Sequence, residues 1–213
     1  MRFDDAVRRL TVPDRFAGPF PTAPDALHAV FTDERLRPRL RPSDTARPAA
    51  VLALLFEGDD GDARLVLTER LTYDGHHSGE VSLPGGKAEP DDRAAAATAL
   101  REANEEVGLD AEAAGVRILG TLDDVFIPVS NFRITPVVAI ADRPPALRAN
   151  PAEVARILQP PVAVFLPDAS IEVVERVIGD WPLRYGGYRI DGLHVWGATA
   201  RILGQLGALL ADA

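Results

Sequence analysis

The chain contains no cysteine, which excludes thiol catalysis, disulfide bridges and cysteine-bound zinc and otherwise leaves the compartment open. No apolar run approaches the roughly 18 residues needed to cross a bilayer; the longest nearly continuous one is Ala49 to Phe56. The opening residues Met1-Arg2-Phe3-Asp4-Asp5 lack the basic start and apolar stretch of a secretory signal, so the expectation is a cytoplasmic protein. Positive charge is also short. The balance of 23 Lys and Arg against 32 Asp and Glu, a formal net charge of −9, argues against nucleic-acid and membrane partners. An anionic substrate must be drawn in by local cations and a metal. Internal repeats are absent too. With 213 residues, 46% of them apolar, the chain can bury a sizeable core, most simply as one domain with an extension.

What is present is concentrated in one place. Fifteen residues after Gly86 comes Arg101-Glu102-Ala103-Asn104-Glu105-Glu106-Val107-Gly108-Leu109. On an α-helix, at about 100° per residue, Glu102, Glu105 and Glu106 fall within an arc of about 100°. Ala96, Ala99, Leu100, Ala103 and Val107 form a separate apolar stripe suited to a core. Like charges at this spacing cost a few tenths of a kcal/mol per pair. Glutamates spaced this way also occur on solvated helices, so context decides. Leu83-Pro84-Gly85-Gly86-Lys87 precedes the helix, and a glycine pair lets the backbone turn sharply and approach a ligand. Pro90-Asp91-Asp92 reads as a helix start with Asp as N-cap, and Gly108 as its stop. A hard divalent cation, which takes oxygen ligands and tolerates phosphates in its shell, would offset the charge.

The rest of the pattern predicts an α/β fold. Residues 1–46 read as an N-terminal extension packed on a domain at 47–213: a short helix at Phe3 to Leu10, a helical turn or two within Ala23 to Phe31, and prolines that interrupt regular structure. Strands are expected at Ala49 to Glu57, Ala63 to Arg70, Glu80 to Leu83, Val116 to Leu122, Arg133 to Ile140 and Ile171 to Ile178. Helices are expected at Asp91 to Val107, Pro151 to Leu158 and Ala198 to Leu210. Such a mixture suits an α/β/α layered sheet.

Glycine loop followed by acidic helix resembles the signature of the Nudix hydrolases, carried by Gly86, Arg101, Glu102, Ala103, Glu105, Glu106, Gly108 and Leu109. Two departures are Asp92, where the pattern has Glu, and one extra residue between it and Arg101. The resemblance implies an α/β/α sandwich with a curled mixed sheet, Mg²⁺ or Mn²⁺ as cofactor, and a small nucleoside diphosphate derivative as substrate. It also implies a loop-supporting carboxylate at Asp92. Leu67-Thr68-Glu69-Arg70, His77-Ser78-Gly79-Glu80 and Leu83-Pro84-Gly85-Gly86 resemble the additional motif of the coenzyme A pyrophosphatase branch, with Leu71, Gly75 and Leu83 departing from it. Asp123 to Pro128, Thr135 to Val138 and His194 to Leu203 are similar to the same branch, without an assigned chemical role.

These matches assign roles. Glu102 and Glu106 are the leading metal ligands, Glu105 a further ligand or the group that orients and deprotonates water, and the Gly86 carbonyl an extra ligand. Arg101 holds Glu105 or forms a plain surface ion pair. His77 contacts substrate or is satisfied by backbone, and Arg70 and Lys87 face phosphates or are solvated charges. Glu153 is an additional carboxylate or a helix-start charge. Trp181, Tyr185, Tyr188 and Trp196 stack on a base, pack in the core or form a homodimer contact. Three functions compete: a coenzyme A pyrophosphatase, a hydrolase of another nucleoside diphosphate derivative such as ADP-ribose or a dinucleotide, and a non-catalytic nucleotide sensor.

Overall fold

The structure is a computed structural model that describes residues 1–33, 35–36, 45–71, 80–128, 130–178 and 181–212. His77, expected at the substrate, and Gly75 lie outside the described residues.

The chain opens with α1 (Phe3–Leu10), whose Ala6 and Leu10 are buried. A 3₁₀ turn at Asp25–Leu27 leads to β1 (Val30–Phe31). The long strand β2 (Arg47–Glu57) is followed by β3 (Ala63–Leu65), β4 (Leu67–Arg70), β5 (Val81–Ser82) and β6 (Gly85–Lys87). Then come α2 (Ala95–Val107), the single turn α3 (Ala111–Ala114), β7 (Val116–Thr121), β8 (Val125–Ile127) and β9 (Phe132–Ala141). β10 (Val154–Leu158), a 3₁₀ turn at Val162–Phe165, β11 (Glu172–Ile178), β12 (Trp181–Ile190), β13 (Leu193–Trp196) and α4 (Gly197–Ala211) complete the chain.

Among the described residues the strands form three sheets. The central one runs β3-β2-β9-β7, with β6 added on β2 and β8 on β9. β2 and β9 are parallel and the other pairs antiparallel, so the sheet is mixed. Its two central strands are apolar on both faces, as strands covered from both sides must be. Ala50, Leu52, Leu54 and Phe56 of β2 pack with Ala99, Ala103 and Val107 of α2. Ala53 and Leu55, pointing the other way, share a core with Leu203, Leu206 and Leu210 of α4. β9 divides likewise, Val137 and Ala139 to one side and Val138 and Ile140 to the other. This is the expected α/β/α sandwich. Smaller sheets, β10-β4-β5 and β1-β12-β11 with β13 on β12, flank it.

The N-terminal segment joins the α4 side, where Ala6, Leu10, Ala23 and Leu27 share its core. Arg9 donates to the Leu210 carbonyl at 2.7 Å, and Arg15 to those of Leu209 and Asp212. Cations thus meet the unsatisfied carbonyls at the end of α4.

Three expectations are corrected. Ala63 to Arg70 is not one strand, because its partners change at Val66: Leu65 pairs with Leu55 of β2, and Leu67 with Leu158 of β10. Side-chain alternation continues through the break, Leu65 and Leu67 toward the α4 core and Val66 toward α2, so the pattern alone looks continuous. Pro151 to Leu158 is not a helix; Val154 to Leu158 pairs antiparallel with β4. Pairing with a distant strand outweighs a weak local helix preference there. Asp92 does not cap α2. The N-cap is Ala94, without a side-chain hydrogen bond, and the helix starts at Ala95.

Candidate active site

The site is assembled around the end of α2. Its apolar stripe, Ala99, Ala103 and Val107, is pinned to the sheet, which fixes the rotation of the helix and so the direction of every other side chain. Gly108 ends it in the left-handed conformation, φ 64°, with its N–H on the Ala103 and Asn104 carbonyls. Backbone N–H groups of Arg148 and Asn150 then donate to the Val107 and Glu106 carbonyls, both at 2.8 Å. A segment more than forty residues downstream is thereby tied to the helix end.

The three glutamates have different fates. Glu106 is only 4% exposed. Its Oε2 accepts from the Gly85 N–H at 3.2 Å, and its Oε1 lies 4.0 Å from Arg70 Nη1. Burial dominates and pushes its carboxyl up to about 7, with the charges of Glu102 and Glu153 adding to the effect. Glu102 is raised too, chiefly by burial and against the pull of Arg101. Glu105 has a half-exposed side chain, 3.3 Å from Arg101 Nη1.

Each glycine of the loop has its own physical reason. β6 runs against β2 with Gly85 opposite Val51 and Gly86 opposite Ala50. At Gly85 the φ is 154°, and a Cβ there would lie 2.3 Å from the Ala50 carbonyl oxygen. A Cβ on Gly86 would meet the Glu102 carboxylate at 2.5 Å. The first glycine lets β6 close on β2, and the second lets the Glu102 carboxylate rest on the loop backbone.

Arg101 is the organiser of this cluster. It donates to Asp92 Oδ2 at 3.1 Å, Glu102 Oε1 at 2.9 Å, Glu105 Oε2 at 3.3 Å and the Lys87 carbonyl at 3.0 Å. Its pKa is raised above the ordinary arginine value, first by Asp92 and then by the glutamates. Asp92 also accepts from the Glu89 N–H and the Thr98 hydroxyl, both at 2.9 Å. Arg101 and then that N–H hold its carboxyl down at about 2. The acid expected to cap the helix instead clamps the loop to it.

Glu153 is corrected as well. No helix starts there, so no helix dipole explains it; it sits just before β10, and its charge raises Glu102 and Glu106. Its position could not be read from the sequence because it depends on the distant Asn150–Glu106 contact. Asp123 and Asp124 have structural partners, the Gln205 side chain at 2.7 Å and the Thr135 hydroxyl at 2.7 Å.

Beside the glycine loop lies a cavity of about 360 Å³. Arg70, Gly85, Gly86 and Lys87, the single lysine of the chain, line it, so both predicted phosphate-facing cations border it. Of the C-terminal aromatics, Tyr188 is buried edge-on to Phe165 and Trp181 packs on Phe31. Trp196 packs on Tyr185 with ring centroids 4.6 Å apart, and it also lines the cavity.

Among the described residues no three His, Asp or Glu side chains form a ready metal cage. What the fold brings together is the pair Glu102 and Glu106, while Arg101 engages Glu105. The donor set still fits a hard cation: it is all oxygen, it includes a buried carboxylate whose ion-pair partner Arg70 is no closer than 4.0 Å, and it faces loop backbone stripped of side chains.

This fold and site define a hydrolase-type α/β/α domain with an acidic helix under a glycine loop. Residues 46–170 match the family model of the NUDIX domain. A mitochondrial Nudix hydrolase 15 of Arabidopsis thaliana is 40% identical over 190 residues, covering 85% of this chain and 66% of that protein. An uncharacterized Nudix hydrolase, NudL, of Photorhabdus laumondii is 35% identical over 172 residues, covering 79% and 88%. A solved Nudix hydrolase from M. smegmatis shares 26% identity at a TM-score of 0.46, over 56% of this chain and 73% of that one. The chain belongs to the Nudix hydrolase family. It spans 66% of the length of that mitochondrial relative and 58% of a second relative from the same plant, the chloroplastic Nudix hydrolase 22, to which it is also 40% identical. No helix among the described residues is long and apolar enough to cross a membrane.

Proposed function

We propose that the protein is a divalent-cation-dependent diphosphatase that cleaves coenzyme A or acyl-coenzyme A to 4′-phosphopantetheine, or its acyl form, and 3′,5′-ADP. The observation that carries the hydrolase reading is the buried Glu106 carboxylate, raised to about 7 beside Glu102 and beneath Gly85 and Gly86. An acid in this state is a poor stabiliser of the fold by itself and a good ligand for a cation. A pure nucleotide sensor has no need of it.

Glu102, Glu106 and the Gly86 carbonyl would hold Mg²⁺ or Mn²⁺. When bound, such an ion neutralises charge on the diphosphate, acidifies water and orients the leaving phosphate. Glu105, exposed and held by Arg101, would orient and deprotonate the attacking water. Arg101 positions Glu102 and Glu105 together and ties both to the loop through Asp92 and the Lys87 carbonyl. Arg70 and Lys87 meet phosphate charge at the cavity.

Cation binding is expected to raise the melting temperature, since only the folded form assembles the pair. At a hundredfold excess over Kd the stabilisation is about 2.7 kcal/mol. A melting point in millimolar Mg²⁺ or Mn²⁺ equal to that in EDTA would sink the metal assignment.

The coenzyme A reading rests on the likeness of Leu67 to Arg70 and of the glycine loop to that branch, and on Arg70 bordering both Glu106 and the cavity. A panel of diphosphates with products identified by mass spectrometry tests it. A kcat/KM for ADP-ribose tenfold above that for coenzyme A, about 1.4 kcal/mol, would favour the other nucleoside diphosphate reading. Arg70→Ala is expected to lower kcat/KM for both coenzyme A and its analogue lacking the 3′-phosphate, because Glu106 loses its cationic neighbour. If Arg70 also grips the 3′-phosphate, coenzyme A falls further, and an unchanged ratio would remove that role.

A further inference from the structure

The cavity beside the glycine loop has a wall that comes from outside the residues matched to the NUDIX domain. Trp196, at the end of β13, and Ala198 and Ile202, in the first turns of α4, line it together with Val51, Leu83 and Ile134. At the glycine loop the same cavity carries Arg70 and Lys87. Its lining is therefore mixed: two cations beside the glycine loop, and mostly apolar side chains elsewhere, joined by the Glu80 carboxylate, which can accept from an amide N–H. A ligand that fits has a phosphate at one end and a chain of low polarity at the other.

We propose that this cavity holds the pantetheine arm of the substrate, with Trp196 as the residue that determines how the arm is held, and that the adenosine half stays outside. The proposal rests on the coenzyme A reading above and adds to it which half of the molecule goes where. Two physical arguments select the arm. The ADP half bears a 3′-phosphate, and burying that charge among Val51, Leu83, Ile134 and Ile202 would be strongly unfavourable without a partner. The pantetheine arm carries two methyl groups near its phosphate ester and only sparse amides beyond, which matches apolar walls. A volume of about 360 Å³ also lies within the range, roughly 300–1,000 Å³, that encloses ligands of this size.

Trp196 is suited to the task. Its ring is supported by the buried Tyr185, with an interplanar angle of 30°, so its orientation is set before a ligand arrives. Its indole N–H is a donor only and can donate to an amide carbonyl of the arm.

The chain has two tryptophans, so Trp181→Phe leaves Trp196 as the sole tryptophan, read by excitation selective for indole over tyrosine. With Mg²⁺ present, this variant is titrated separately with the two products, neither of which turns over. A saturable change in Trp196 emission with 4′-phosphopantetheine, and none with 3′,5′-ADP at the same concentrations, is the expected result. A response to 3′,5′-ADP alone, or to neither, overturns the proposal. In steady state, Trp196→Ala is expected to raise KM for coenzyme A about tenfold while kcat changes less than threefold, and Trp196→Phe to recover most of the loss. Ala198→Leu, which fills the cavity from α4 and leaves the Trp196 side chain unmutated, is expected to raise KM similarly and covers the case in which Trp196→Ala fails to fold. An unchanged KM in Ala198→Leu counts against the proposal. Coenzyme A cleavage with emission silent to 4′-phosphopantetheine leaves the diphosphatase reading standing and removes this one. Binding of 4′-phosphopantetheine without cleavage of any diphosphate does the reverse.

Discussion

Glu106→Gln is expected to lower kcat on the order of a hundredfold or more while making the metal-free protein more stable at pH 8. The two effects have one cause. Glu106 is buried with a single backbone donor at 3.2 Å and a cation 4.0 Å away, too little to compensate its charge. Its folded carboxyl titrates near 7 and its unfolded one near 4.5. Between those values the folded state holds a proton that the unfolded state has released, so stability falls as pH rises through this window and levels off above it. Each pH unit of the window is worth about 1.4 kcal/mol, which puts the whole on the order of 3 kcal/mol. Glutamine keeps an acceptor for the Gly85 N–H and removes the charge. In EDTA the variant should therefore gain on the wild type at pH 8 and lose that advantage at pH 5. Urea unfolding at the two pH values reads this directly. A variant equally stable at both, or one with near-normal turnover in saturating Mg²⁺, would contradict the placement of Glu106.

Gly85→Ala is expected to destabilise the fold by about 3 kcal/mol or more, from backbone strain and overpacking together. The added Cβ would lie 2.3 Å from the Ala50 carbonyl oxygen, at a φ of 154°, and a strand backbone has no easy way to retreat. Gly86→Ala makes a useful contrast. Its Cβ would strike the end of the flexible Glu102 side chain at 2.5 Å, so the carboxylate can move aside. Stability should change by less than about 1 kcal/mol, with activity reduced through the displaced Glu102. Denaturant melts of the two variants separate the roles, and a Gly85→Ala protein within 1 kcal/mol of wild type would refute the packing argument.

Elements whose cause is local were legible in the sequence. The acidic helix was visible because its apolar stripe repeats with the helical period, and Gly108 marked its end because left-handed backbone suits glycine. The helix at Phe3–Leu10 and the strands β2 and β9 carried similar patterns. β12 and β13 were not anticipated: they form successive hairpins with β11, and β12 is completed by β1, more than 140 residues earlier, a pairing that no local pattern records. β10 looked helical for the same reason: its strand state is imposed by β4, far back in the chain.

By itself, the sequence determined the oxygen donors, the glycine pair and the layered class of fold, all of which follow from residue chemistry and short-range periodicity. Only the tertiary structure decided that Glu106 is buried while Glu105 is half exposed, since burial depends on what the sheet and the loop bring against each turn of the helix. It also decided that Asp92 clamps Arg101, that Glu153 lends its charge to the site, and that Trp196 walls the cavity. Each of these is a contact closed between segments remote in sequence, and the free energy that selects it comes from packing and pairing that no local pattern records.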